Sequence, residues 1–325
     1  MSEPVPGDLP SPIPPASALL APSSWCWRGH SVVWTCTSDP AAGSPAVVLI
    51  HGFGASIGHW RHNLPALAPH CQAYALDLLG FGASDKPRSQ LKGEEPEPDA
   101  VRYCFDLWGA QVADFIDAII LASGPRPVHL IGNSIGGVVA LAAARLLVER
   151  GRPPAQVVLI DCAQRTLDEK RVAELPAWER AGRPLLRALV RERWLLGPLF
   201  RLLARPQVVR RVLRQAYPSG AHVDDELVAL LLRPASDPGA VESFRGFVNL
   251  FDDHLAPDLM EELPVPVRMI WGASDPWEDP AEAAHWRDRL PCIRELRVLP
   301  GLGHCPHDEA PGVVNAILLE WLKLD

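Results

Sequence analysis

Three residues have the types needed to turn a hydroxyl into a nucleophile for carbonyl carbon: Ser134, Asp275 and His304. A serine hydroxyl is a weak nucleophile at neutral pH. It needs a base within hydrogen-bond reach, and that base needs a carboxylate to fix its tautomer and orientation. Ser134 stands within Gly132-Asn133-Ser134-Ile135-Gly136-Gly137, between an apolar run, Val128 to Ile131, and an alanine-rich helical pattern, Val138 to Glu149. The stretch reads as strand, tight turn, helix. A serine at such a turn has a strained backbone, so only very small neighbours fit two residues to either side, and Gly132 and Gly136 supply them. It also begins a helix, where free N–H groups and the helix dipole favour developing negative charge, which makes the Ile135 N–H a candidate oxyanion donor. Glycine and serine also crowd ordinary strand-to-helix turns, so the rest of the chain must corroborate the reading.

The elements that would position these residues follow from periodicity. Trp25 to Arg28 and Val32 to Thr37 read as an antiparallel pair joined by Gly29-His30. Ala46 to Ile50, Gln72 to Asp77, Val128 to Ile131, Gln156 to Ile160, Val267 to Gly272 and Glu295 to Leu299 read as the buried strands of a parallel sheet. Helical spacing covers Phe105 to Leu121, Ala281 to Leu290 and Asp308 to Leu322. Alternating strands and helices imply right-handed crossovers. Ser134, Asp275 and His304 each follow a strand and therefore belong on one sheet edge, where open α/β sheets bind ligands. His304 follows the last strand and is flanked by glycine, with His307 as its rival. Asp161, after the Gln156 to Ile160 strand, competes with Asp275 as the acid, while Asp77 reads as a structural acid pinning nearby N–H groups and Glu278 as peripheral. No histidine or cysteine cluster has the spacing of a zinc motif, so neither a metal nor a cofactor is expected.

Between Cys162 and about Pro264 the alternation stops, and roughly a hundred residues of helical pattern read as a lid inserted between two strands. Within it, Arg180 to Arg214 holds ten arginines against one acid, Glu192, although the whole chain carries a net charge of −8. A helical pair with a solvated basic face accounts for this; contact with an anionic membrane surface is the sharper expectation. Hydrophobic residues make up 48% and charged residues 22% of the 325, ordinary values for a globular protein. The negative charge and the lack of a basic strip with interleaved aromatics argue against a nucleic-acid partner. Seven cysteines with no C-x-x-C pair read as reduced, mostly buried thiols, and so as a cytoplasmic setting. Residues 1–24, rich in proline and serine with no basic residue before Arg28, read as a disordered tail rather than a secretory or transit segment. The domain organisation expected is thus this tail, a core of residues 25–163 and 264–325, and a lid of residues 164–263.

The elbow around Ser134 and the His51-Gly52-Phe53-Gly54 turn resemble those of the α/β-hydrolases. The resemblance implies a mostly parallel eight-stranded sheet with helices on both faces and a helical lid after the sixth strand. It also implies the chain order serine, acid, histidine, a second oxyanion N–H from Phe53, and backbone glycines that let substrate approach. Gly52, Asn133 and Trp277 are then candidate substrate contacts. Serine at the elbow, where dehalogenase-like and epoxide-hydrolase-like members carry aspartate, implies acyl transfer.

Longer runs are similar to the chlorophyll dephytylase and pheophytinase group. They are His51 to Trp60, Tyr74 to Asp85, the elbow, Asp275-Pro-Trp277, Gly303 to Glu309 and, in the lid, Val223-Asp-Asp225 and Pro234 to Pro238. That group cleaves the phytyl ester of chlorophyll or pheophytin, a small apolar ester substrate, which would place the protein at the periphery of the thylakoid membrane. The lack of a transit-type segment fits a cyanobacterial homologue. A serine esterase or lipase, a carbon–carbon bond hydrolase and a non-catalytic receptor on the same scaffold are the alternatives.

Overall fold

The computed structural model describes residues 20–41 and 43–323. The chain runs β1 (Ser23–Trp27), β2 (His30–Cys36), β3 (Ala46–Ile50), α1 (Leu64–Leu67), β4 (Gln72–Leu76), α2 (Phe105–Phe115), β5 (Val128–Asn133), α3 (Ile135–Glu149) and β6 (Gln156–Ile160). Six helices follow: α4 (Ala177–Arg191), α5 (Arg193–Leu203), α6 (Pro206–Ala216), α7 (Asp225–Ala235), α8 (Ala240–Val248) and α9 (Ala256–Met260). The sheet resumes with β7 (Val267–Gly272), α10 (Pro280–Arg289), β8 (Ile293–Leu299), α11 (Pro306–Glu309) and α12 (Pro311–Leu322).

The strands form one eight-stranded sheet in the order β1-β2-β4-β3-β5-β6-β7-β8. The β1/β2 and β2/β4 pairs are antiparallel and every other pair is parallel. Alternation within the buried strands separates two cores. Val48, Ile50, Leu130, Leu159 and Met269 face a cluster shared with α2, α3, α9 and α10. Val47, Leu49, Ile131, Val158 and Ile270 face the opposite cluster, shared with Trp60, α1 and α12. Both faces are covered, which is why these strands read as continuous apolar runs; each such side chain removed from water stabilises the fold by about 1.5–3 kcal/mol.

The helical lid lies between β6 and β7, with no strand among the described residues there. Its last helix, α9, packs on the core, with Ala256, Leu259 and Met260 joining the α3 side of the sheet. Other boundaries differ from the sequence reading. Ser23 and Ser24 already pair with Trp34 and Val33, so the expected tail ends earlier than residue 24; residues 1–19 lie outside the described residues. The helix expected from Phe105 to Leu121 is α-helical only to Phe115, then widens into a π-type turn over Ile116–Ile120. The last helix is broken at Ala310, because Pro311 keeps the residue before it out of the helical region. All seven cysteines are free and five are buried. No helix among the described residues is long and apolar enough to cross a membrane.

Candidate active site

Ser134 caps α3 with φ 54° and ψ −124°, a conformation that costs a non-glycine residue about 1–3 kcal/mol and persists only where its surroundings impose it. The surroundings are the two glycines. A Cβ on Gly132 would lie 2.1 Å from the Gly136 carbonyl oxygen, and one on Gly136 would lie 2.3 Å from that of Ile50. The serine N–H is held by Ile160 O at 3.0 Å, whereas its hydroxyl makes no hydrogen bond among the described residues. Ser134 itself is partly open to solvent.

Gly52 brings the loop after β3 against the elbow: a Cβ there would stand 3.1 Å from Asn133 Oδ1 and 3.2 Å from Ser134 Cβ. His51 fixes this loop. Its ring is fully buried, with Nδ1 bonded to Gly52 O at 2.8 Å and Nε2 accepting the Leu78 N–H at 3.1 Å, and burial lowers its pKa. The Phe53 and Ile135 N–H groups donate to no protein acceptor among the described residues. The Phe53 ring is stacked on Phe247 of α8, with ring centres 3.7 Å apart.

His304 Nδ1 pairs with Asp275 Oδ2 at 2.8 Å, which leaves Nε2 free to accept a proton. Asp275 Oδ1 accepts the N–H groups of Trp277 at 2.9 Å and Glu278 at 3.1 Å. Burial raises the Asp275 pKa, but the bond to His304, the His304 charge and the Trp277 N–H outweigh it and hold the carboxylate below its ordinary value. Trp277 is half-exposed, its ring edge-on to His304 at 4.8 Å. On the other side Asn133 Nδ2 donates to His304 O at 3.1 Å and to Ile160 O at 3.2 Å, tying the histidine loop to the elbow.

The two rival residues are placed differently. His307 is buried against His59 and Trp60, with neither ring nitrogen bonded, away from Asp275. Asp161 is fully buried beside the pair: one carboxylate atom each of Asp161 and Asp275 and one ring nitrogen of His304 lie within 4.8 Å of one another. Asp161 Oδ1 accepts the Gly272 N–H at 2.8 Å, while Oδ2 is buried with no hydrogen-bond partner among the described residues. Burial, reinforced by the Asp275 charge, raises its pKa well above the ordinary value. Both causes favour the protonated carboxyl, which lies close to Asp275 without a hydrogen bond to it. Asp77 takes the Ile57 and Ala83 N–H groups at 2.7 Å each, the pinning role read from its position. Glu278 is half-buried, its pKa pushed up to about 8 mainly by burial, and accepts the Gln164 N–H at 2.8 Å.

Two features were not read from sequence. The lid closes directly on the histidine loop, since His304 N–H donates to Ala216 O, the last residue of α6, at 2.9 Å. Arg61 spans the same junction, bonded to Asp308 at 3.0 Å and to His222 O at 3.1 Å. Beside the His51–Gly54 loop lies an apolar cavity of about 320 Å³, roofed by lid residues such as Phe200, Leu213, Leu231 and Phe244 and floored by Phe53 and Phe81. Its one charged lining residue, Lys86, is spent on Gly82 O, Ser84 O and Asp237. Ser134 and His304 do not line the cavity; Phe53 joins it to the site.

Residues 47–317 match the model of the alpha/beta hydrolase family. Among curated proteins the chain is 26% identical to a chloroplastic pheophytinase of Arabidopsis thaliana over 86% of its length, and it spans 61% of that relative. It is 25% identical to a (lyso)-N-acylphosphatidylethanolamine lipase of Bos taurus, with 89% of this chain and 82% of the lipase covered. Its backbone superposes on a membrane phospholipase A that is a bacterial virulence factor, with TM-score 0.67, 22% identity and coverage of 94% and 86%. The epoxide hydrolase CorEH gives TM-score 0.70 at 19% identity over 93% and 98%. The matched span takes in the elbow, the acid and the histidine, and this chain belongs to the alpha/beta hydrolase family.

Proposed function

We propose that this hydrolase is a serine esterase working through an acyl-enzyme, with Ser134, His304 and Asp275 as its machinery and an apolar ester, best matched by the phytyl ester of a chlorophyll-type pigment, as its substrate. The observation that carries the reading is an apolar cavity meeting the oxyanion loop at Phe53. A cavity of about 320 Å³ with no free charge selects a hydrocarbon group.

The chemistry follows from the geometry. Ser134 Oγ attacks the ester carbonyl while His304 Nε2 takes its proton, and the Nδ1 bond to Asp275 keeps the ring in the needed tautomer. The carbonyl oxygen becomes an oxyanion that the free Phe53 and Ile135 N–H groups receive. Each such donor is worth about 10²–10³ in kcat. Collapse expels the alcohol, which takes the proton from His304, and leaves the acyl group on Ser134. Water, deprotonated by His304, then attacks the acyl-enzyme, and the acid leaves as Ser134 Oγ takes that proton back from His304. Asp161, buried within 4.8 Å of Asp275, backs the carboxylate that faces the imidazole. None of these steps calls on a metal or an organic cofactor.

Similarity to the pheophytinase supports the phytyl ester. A second reading, a phospholipid-type ester, is favoured by the lipase relative, most of whose length this chain spans. The experiment is a panel: purified protein with detergent-solubilised chlorophyll a, pheophytin a and N-acylated lysophosphatidylethanolamine, with Ser134→Ala as control. Serine-dependent release of phytol supports the first reading. Serine-dependent release of fatty acid alone replaces it with the second.

A further inference from the structure

The helix α4 leaves its apolar stripe open to solvent. Its small and apolar positions Trp178, Ala181, Gly182, Leu185 and Leu189 recur at i, i+3, i+4, i+7 and i+11, the spacing of one face, and all are exposed. Trp178 is 75% and Leu185 66% open to solvent. On the opposite face Arg183 turns inward. Arg183 is buried, bonded to Leu167 O and to Glu169, and Arg187 also pairs with Glu169; both guanidiniums lie 5.5 Å from the Phe251 ring centre. Arg183 is thus the one buried side chain of α4, while Trp178 and the helix's three leucines face water.

The next two helices extend the pattern. On α5, Trp194 is 72% exposed, accompanied by Leu199 and Leu202, and on α6 Val212 is exposed. Of the ten arginines from Arg180 to Arg214, five pair with acids. The other five, Arg180, Arg201, Arg205, Arg211 and Arg214, are all exposed and have no acidic partner among the described residues. Exposed tryptophan and leucine surrounded by unneutralised arginine match an anionic lipid interface, where acyl chains accept the apolar side chains and headgroups accept the guanidiniums. A second copy of this chain fits less well, since a self-complementary contact would face like charges with like. The same helices form the cavity: Leu203 and Val212 both line it and reach solvent, so it opens towards this face.

We propose that the α4–α6 face is the surface through which this protein docks on an anionic lipid bilayer, and that apolar substrate passes from the bilayer into the cavity between α5 and α6. The substrate half rests on the hydrolase reading above; the docking half stands on the face itself.

The test uses the full chain with sedimenting vesicles of phosphatidylcholine alone or with about one-third phosphatidylglycerol. Binding is expected to the anionic vesicles only and to fall steeply between about 0.05 and 0.5 M salt. Each of Arg201→Ser, Arg205→Ser and Arg214→Ser should weaken it about fivefold, and Trp178→Ser about tenfold. These variants should keep wild-type rates on a water-soluble short-chain ester, which also shows that they fold. Equal binding to neutral vesicles, no binding to either, or a concentration-dependent dimer abolished by Trp178→Ser overturns the proposal. The two readings fail separately: soluble-ester turnover without vesicle binding removes docking alone, and vesicle binding without any ester turnover removes the hydrolase alone.

Discussion

The side-chain amide of Asn133 bonds the main-chain carbonyl of His304 at 3.1 Å, so the residue before the elbow serine holds the loop that carries the histidine. This link spans 171 residues of sequence and ties the His304 loop to the turn that carries Ser134. Asn133→Ala leaves the carbonyls of His304 and Ile160 without this donor, which costs about 1–3 kcal/mol of stability. The larger expected effect is on rate. A small misplacement of the base should lower kcat about ten- to a hundredfold with KM little changed, as steady-state kinetics on a soluble ester would measure. Unaltered kcat in a folded variant would mean that the link does not position His304.

Asp161 and Asp275 are separated by a pair of substitutions. If Asp161 serves as a neutral donor, Asp161→Asn keeps an N–H for Asp275 and an oxygen for Gly272 N–H, and it should retain activity within about threefold, whereas Asp161→Ala should lose about ten- to a hundredfold. Asp275→Asn removes the group that sets the imidazole tautomer and should drop kcat by about 10⁴. Equal inactivity of Asp161→Asn and Asp161→Ala would instead make Asp161 the working acid.

The glycines of the elbow should be intolerant where helix glycine is not. Gly132→Ala drives a Cβ to 2.1 Å from a backbone carbonyl and is expected to destabilise by more than about 4 kcal/mol. At Gly182, on the exposed face of α4, an added Cβ would meet nothing within 4 Å, so Gly182→Ala should stabilise its helix by about 1 kcal/mol. Urea titration of the two variants reads both signs.

Stability should fall on acidification, because several histidines are buried neutral. Burial lowers the pKa of His59 and of His129 to about 4 from 6.5. Between those values the unfolded chain binds protons that the native state refuses, so ΔG of unfolding is fullest above pH 6.5 and declines towards pH 4. Each such group contributes up to about 1.4 kcal/mol per pH unit. His129→Gln should flatten the dependence of the urea midpoint on pH in this window, and parallel curves for wild type and variant would contradict it.

How much of this was legible in the sequence depended on range. The buried runs Ala46–Ile50 and Gln156–Ile160 have strand boundaries identical to those read from apolarity alone, because parallel strands covered on both faces cannot hide their composition. The elbow was legible for a steric reason: only glycine fits beside a serine at φ 54°. The choice between Asp161 and Asp275 was not, since both follow strands and only the third dimension gives one the imidazole and buries the other behind it. Contacts of Asn133 and Ala216 with His304 were invisible, being made by a side-chain amide and a main-chain carbonyl that carry no spacing signal. The arginine excess of the lid was plain, whereas the exposure of the apolar stripe on α4 was not, because a helical stripe reads the same whether or not it is covered.

The central claim, that Ser134 is a nucleophile activated by His304, is tested most directly by labelling with a fluorophosphonate, which reacts with activated serines, followed by peptide mass analysis. One covalent adduct on Ser134 is expected, lost in Ser134→Ala and strongly slowed in His304→Ala, together with a fall of about 10³-fold or more in ester turnover for both variants. Turnover that survives in a folded Ser134→Ala variant, or an adduct on another serine, would contradict the account.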